Sequence, residues 1–284
     1  MNETILLIGH GSREAAGNHE VEQFAERWRA RHPQWRIHVC FIEFAEVLVD
    51  QGLTEAARNA RRVIVVPLIL NAAGHAKMEI PRSIEAARRR HPQTEFIYTP
   101  HLGANDAVLA VLQRRLGTAM HELDMPDPKT TGVILLGRGS SDRMANGEVA
   151  KMARWLAEVS EHDLVDIAFT GITHPRLERV VQRQVRLGMT QIVVLPYYLF
   201  TGTLMQRIKR QVRHLSQQYP QIRFARGAYF GFEEEIFTLV DQRVAEAGQR
   251  HGQMPCDGCK YRETAAAHGH AHTHHHEPTL ARTG

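Results

Sequence analysis

The chain has 284 residues, 43% hydrophobic and 23% charged, which is the composition of a soluble globular protein of one large domain or two small ones. Its longest apolar run, Val63 to Leu70, contains Pro67 and is far shorter than the ~20 residues of a membrane span, and the start of the chain lacks the basic region of a signal peptide, so a cytoplasmic protein is expected. The formal charge of +4, from 35 basic and 31 acidic residues, is too mild for nucleic-acid binding, and three cysteines, Cys40, Cys256 and Cys259, make no disulfide framework.

In chain order, β-branched runs alternate with longer amphipathic stretches. Strands are predicted at 3–9, 36–43, 62–69 and 95–99, with helices at 14–31, 51–60, 77–90 and 104–116. Met120 to Thr131, with Pro126, Pro128 and several charges, reads as a linker. Further strands follow at 132–137, 164–170, 190–196 and 222–227. The second series repeats the first. Ile5-Leu6-Leu7-Ile8-Gly9-His10-Gly11-Ser12 aligns with Val133-Ile134-Leu135-Leu136-Gly137-Arg138-Gly139-Ser140 at an offset of 128. The same offset pairs His91-Pro92-Gln93 with Tyr219-Pro220-Gln221, and Val63 to Leu70 pairs with Ile192 to Leu199 at 129. Near-continuous apolar strands such as Val63-Ile64-Val65-Val66 imply burial on both faces and a parallel sheet. The expected fold is α/β: two homologous doubly wound parallel-sheet domains, 1–120 and 132–249, joined by the linker 121–131 and facing across a cleft. A disordered C-terminal tail, 250–284, follows.

Ligands of such sheets sit at the carboxyl ends of the strands. Strand one ends in Gly9-His10-Gly11-Ser12-Arg13, strand two near Glu43, and strand three is followed by Asn71-Ala72-Ala73-Gly74-His75. Two imidazoles and a carboxylate from three successive strand ends suit a borderline divalent metal such as Co(II), Fe(II), Ni(II) or Zn(II). A lone histidine after a glycine is more often a loop residue than a ligand. The comparison between halves favours the metal, because His10 becomes Arg138, Glu43 becomes Gly171 and His75 becomes Thr203. All three are lost together from one copy while the glycine framework stays.

Other chemistries fail on specifics. The chain has no Gly-x-x-x-x-Gly-Lys-Ser/Thr loop, no Gly-x-Ser-x-Gly elbow and no dinucleotide fingerprint after its first strand; no organic cofactor is expected. Phosphohistidine enzymes carry Arg-His-Gly at a first strand end, but Gly9 stands here where the phosphate-holding arginine would be.

Ile8-Gly9-His10-Gly11-Ser12-Arg13, Phe41-Ile42-Glu43-Phe44-Ala45-Glu46, Pro67-Leu68-Ile69-Leu70-Asn71-Ala72-Ala73-Gly74-His75 and Pro196-Tyr197-Tyr198-Leu199-Phe200-Thr201-Gly202 resemble the sirohydrochlorin chelatases, the type II tetrapyrrole metal chelatases. The resemblance covers residues 1–249, and the duplication with a histidine-rich tail is closest to the long, two-domain cobaltochelatase form of the anaerobic cobalamin pathway. One departure is Val47, where the family commonly has proline and the second copy keeps Pro175. The resemblance implies ATP-independent insertion of Co(II) into sirohydrochlorin, with His10, His75 and Glu43 as metal ligands and proton acceptors; Fe(II) or Ni(II) insertion is the alternative within the enzyme class. A neutral imidazole binds metal or proton near pH 7, which suits both duties. Sirohydrochlorin carries many carboxylates, and Ser12, Arg13, Arg138 and Ser140, with Lys77 less strongly, are the candidates to bind them. Two fused half-sites imply a monomer that resembles a dimer of single-domain ancestors, with dimerisation through the tail as the other arrangement.

The tail holds six of the 18 histidines, His268, His270, His272, His274, His275 and His276, a composition that binds metal at many weak sites and favours cobalt or nickel. Without a catalytic site the chain would read as a metal-storage or delivery protein. Cys256-Asp257-Gly258-Cys259 supplies two thiolates, half of a structural zinc or iron–sulfur set; relatives of the long form imply an iron–sulfur centre there.

Overall fold

The computed structural model describes residues 3–123, 125–247, 249 and 253–259. The first half runs β1 (Glu3–Gly9), α1 (Ala15–Arg31), β2 (Arg36–Phe41), α2 (Val49–Ala57), β3 (Arg62–Pro67), α3 (Ile80–Arg90), β4 (Glu95–Tyr98) and α4 (Asp106–His121). A π-helical turn, His75–Glu79, leads directly into α3. The second half repeats the order as β5 (Thr131–Gly137), α5 (Arg143–Glu158), β6 (Val165–Phe169), α6 (Leu177–Arg186), β7 (Gln191–Pro196), α7 (Thr203–Gln218), β8 (Arg223–Arg226) and α8 (Glu234–Glu246). The strands form two four-stranded parallel sheets, β2-β1-β3-β4 and β6-β5-β7-β8, each flanked by helices, as the doubled sequence pattern predicts. Among the described residues no helix is long and apolar enough to cross a membrane.

Strand alternation sets the layers, because successive side chains point to opposite faces. Leu6, Ile8, Val63 and Val65 pack outward under α2 and α3. Ile134, Leu136, Ile192 and Val194 do the same under α6 and α7. The amphipathic stripe of α6, Leu177, Val180, Val181 and Gln184, is buried at helical spacing. Ile5, Leu7, Ile64 and Val66 face inward, and so do Val133, Leu135, Val193 and Leu195. Together with α1, α4, α5 and α8 they form one continuous core that spans both halves.

That shared core arises from an exchange of helices. The last helix of each half packs on the sheet of the other, α4 against β7 and β8, and α8 against β3. Across the joint, Phe24 of α1 stacks on Phe237 of α8 with ring centroids 4.1 Å apart, and Trp28 Nε1 donates to Asp241 Oδ1 at 2.7 Å. Glu20 accepts from Tyr229 Oη at 2.5 Å and from the Thr201 amide at 2.8 Å, tying α1 to two loops of the second half.

Residues 253–259 return to the first half. Met254 is buried against the core under α3, and its amide donates to Tyr98 O at 2.7 Å. Arg88 holds both Asp257 oxygens, each at 2.7 Å.

A core common to both halves unfolds as a unit. Phe24→Ala removes a fully buried ring and is expected to cost about 3–5 kcal/mol. Urea unfolding followed by tryptophan fluorescence and far-UV circular dichroism should show one coincident transition moved to lower denaturant, whereas two separated transitions would contradict the shared core.

Candidate metal centre

The carboxyl ends of β1, β2 and β3 lie side by side, since β1 is central and pairs with both neighbours. His10 follows β1, Glu43 lies two residues past β2, and His75 opens the π-helical turn after β3. One ligand atom from each lies within 4.8 Å of the others, and this is the one such group found among the described residues. The imidazoles meet edge to face with centroids 5.1 Å apart, and His10 Nδ1 is 3.6 Å from Glu43 Oε1.

The backbone makes this convergence possible. Gly11 has φ +93°, a left-handed conformation favoured by glycine, and a Cβ there would run into the Glu43 carbonyl. Gly139 repeats this with φ +85° against the Gly171 carbonyl. The turns after β2 and β6 also match. Glu43 N donates to His10 O at 3.2 Å, and Gly171 N to Arg138 O at 3.0 Å. Phe44 and Ile172 follow with φ 54° and 62°. Phe41 N donates to Val47 O and Phe169 N to Pro175 O, each at 2.9 Å. The turn at Val47 therefore keeps the closing hydrogen bond of the proline-containing copy.

Three positions in this framework escaped the sequence reading. Asn18 Oδ1 accepts from Ser12 N at 2.8 Å, and Asn146 Oδ1 from Ser140 N at 2.9 Å; each amide group also donates back to the serine carbonyl. Their common offset of 128 was the available signal. The third is Glu79, whose Oε2 lies 2.8 Å from His75 Nδ1. Its signal was His-x-x-x-Glu spacing, which places the two groups on one helical face. A carboxylate on Nδ1 orients the ring and leaves Nε2 for a metal.

The remaining candidates have varied surroundings. The hydroxyls of Ser12 and Ser140 accept from the amides of Glu14 and Asp142 and keep their protons for donation. The Arg13 guanidinium lies 4.9 Å from the Phe44 ring centroid. Lys77 crosses to Asp142 at 2.5 Å. Arg138 Nη1 sits 2.6 Å from His10 Nε2, so the residues equivalent in the two copies meet face to face. Cys256 and Cys259 are half-buried thiols in the segment held by Arg88. Burial raises the pKa of Cys256. Among the described residues no further ligand joins these two, and the remaining cysteine, Cys40, is wholly buried in β2; an iron–sulfur centre is not supported. The histidines His268, His270, His272, His274, His275 and His276 lie outside the described residues.

The two imidazoles differ in proton affinity. Burial, reinforced by the positive charges of Arg138 and His75, pushes His10 down to about 4. The hydrogen bond to Glu79 pushes His75 up from the usual histidine range. His10 is therefore neutral throughout pH 5–8, whereas His75 becomes protonated first as pH falls. Metal uptake should displace one imidazolium proton, from His75. For the chain ending at Cys259, log Kd for Co(II) should rise by about one per pH unit lost below the His75 pKa. A slope of two between pH 7 and 5 would contradict this assignment.

The profile of the CbiX family matches residues 4–119 and again residues 132–247. The sirohydrochlorin cobaltochelatase of Priestia megaterium is 35% identical over 263 residues, covering 92% of this chain and 85% of that one. The sirohydrochlorin ferrochelatase of the same organism is 30% identical, covering 85% and 89%. Among solved structures, SirB from Bacillus subtilis with Fe3+ superposes with a TM-score of 0.75 at 31% identity, covering 89% of this chain and 98% of that one. Profile, relatives and fold agree, and the chain belongs to the CbiX family.

Proposed function

We propose that this protein is a sirohydrochlorin chelatase, a lyase that inserts Co(II) into the macrocycle without ATP. The observation that carries the reading is the convergence of His10, Glu43 and His75 at three adjacent strand ends. The relatives support the chelatase class and bear both cobalt and iron in their names, so active-site likeness does not separate the metals. Cobalt is favoured by the six tail histidines, an imidazole-rich composition suited to the later divalent metals.

The reaction exchanges two pyrrole N–H protons for one M(II). His10 and His75 hold the incoming ion through neutral imidazole nitrogens, and Glu43 adds an oxygen ligand that offsets part of its charge. Two imidazoles and one carboxylate leave coordination positions open for the pyrrole nitrogens. As the ion leaves for the ring, His75 regains its lone pair beside Glu79 and is the better proton acceptor of the two histidines. Glu43 takes the second proton. His10, held near pKa 4, remains a ligand and not a base at neutral pH. Arg138 Nη1 lies 2.6 Å from Nε2 of His10, and a substrate carboxylate draws it off that nitrogen.

The test is anaerobic absorbance of sirohydrochlorin with Co(II), Fe(II) or Ni(II). The full chain and a chain ending at Cys259, which keeps the segment docked through Met254 and Asp257, should both accelerate cobalt insertion. His10→Ala/His75→Ala should lower the rate by at least ~100-fold, as loss of metal ligands does. A wild-type rate equal to the protein-free rate with all three metals would overturn the enzyme assignment and leave a metal-binding protein.

A further inference from the structure

The duplication places a second copy of the metal-site framework in the other half, and its chemistry is inverted. At the 128-residue offset His10 corresponds to Arg138, Glu43 to Gly171, His75 to Thr203 and Glu79 to Arg207. Two imidazoles and two carboxylates are thus replaced by two guanidinium groups, a hydroxyl and a bare backbone. The supporting backbone is unchanged, down to the amide of residue 171 on the carbonyl of residue 138 and the left-handed residue that follows.

A third cation stands beside Gly171. A Cβ on Gly171 would lie 3.7 Å from Arg176 Nη1, so a guanidinium stands near where the Glu43 side chain begins in the first half. Arg176 and Arg207 line one cavity of about 360 Å³ with Thr170, Gly171 and Gln211. Glu178 borders it too and keeps its negative charge, its Oε1 accepting from the neutral Gln211 Nε2 at 2.8 Å, so the lining carries two guanidinium groups against one carboxylate. Thr170 Oγ1 lies 2.8 Å from Tyr198 Oη and 3.2 Å from Arg138 O, linking this cavity to the loop that carries Arg138. Among the described residues neither Arg176 nor Arg207 forms an ion pair with a carboxylate. Unpaired guanidinium groups gathered in one concavity repel one another and attract anions, for which their planar donors suit a carboxylate in two-point contact.

We propose that this inverted half-site is an anion site, built around Arg176 and Arg207, that binds a peripheral carboxylate of the planar polycarboxylated substrate. One half thus holds the metal and the other anchors the ring that receives it. The identity of the macrocycle rests on the chelatase reading; the anion chemistry does not.

The test uses uroporphyrin I, a planar octacarboxylate, as a fluorescent probe, with sirohydrochlorin for kinetics and sulfate as a free-anion competitor. Arg176→Ala/Arg207→Ala should weaken uroporphyrin binding and raise the sirohydrochlorin KM by about 10–100-fold, the usual effect of losing charged hydrogen bonds. Arg176→Lys/Arg207→Lys should recover part of the affinity. The Kd for Co(II) without tetrapyrrole should stay within about twofold. Arg207→Ala alone, at an exposed position in the first turns of α7, gives the same direction of change where the double variant fails to fold. Sulfate should compete with uroporphyrin in the wild type and lose that effect in the double alanine variant. Unchanged uroporphyrin affinity and KM would overturn the proposal, and so would sulfate binding that depends on the arginines while tetrapyrrole affinity does not. Should the wild type insert no metal while the variants still bind uroporphyrin more weakly, the anion site stands and the chelatase reading falls.

Discussion

The contact between His10 and Arg138 is the constraint around which the molecule is organised. The first loop of each half ends at the same point, and the two equivalent residues meet at 2.6 Å. If both were metal-binding imidazoles, two cations held this close would repel strongly in a half-buried site. With histidine on one side and arginine on the other, burial and the arginine charge keep the histidine neutral. The one candidate metal group among the described residues, His10, Glu43 and His75, lies on the histidine side. The asymmetry between the halves thus sets a permanent cation beside the histidine, where a symmetric arrangement would set a second imidazole.

Helix exchange holds the loops at this distance. Because α4 covers the second sheet and α8 the first, neither half can move without disturbing a core built from both. The Lys77–Asp142 bridge and the Glu20 contacts to Tyr229 and Thr201 add polar links near the same strand ends. Such packing places three candidate ligands from three strand ends close to a common point, which is the preorganisation that ligand exchange onto a rigid macrocycle needs.

Much of this was legible in the sequence. Apolar runs such as Val63 to Val66 announced buried parallel strands, and the 128-residue offset announced two copies. The glycines around His10 marked a loop that presents a side chain. The exchange of α4 and α8 was not legible, because an amphipathic helix records that it packs but not which of two homologous sheets it packs on. Periodicity predicted a helix from 77, whereas a π-helical turn begins at His75 and brings Glu79 under the imidazole; one extra residue per turn leaves no trace in a hydrophobic pattern. Residues 253–259 fall in a stretch, 250–284, whose lack of hydrophobic periodicity predicts disorder. Met254 and the Arg88–Asp257 pair nevertheless seat them on the first half, a long-range contact that local composition does not encode. Arg176 and Arg207 carry no motif in the sequence, and only the fold places them around Gly171, the counterpart of Glu43.

The central claim is that one half carries the metal position and the other has been turned to the opposite charge. Anomalous diffraction at the cobalt edge, from crystals of the tetrapyrrole-free protein grown with Co(II), tests it most directly. The account predicts a peak bonded to His10, Glu43 and His75, with no peak among Arg138, Arg176 and Arg207. Cobalt in the second half, or cobalt bound only at Cys256 and Cys259 with the histidine pair empty, would contradict it.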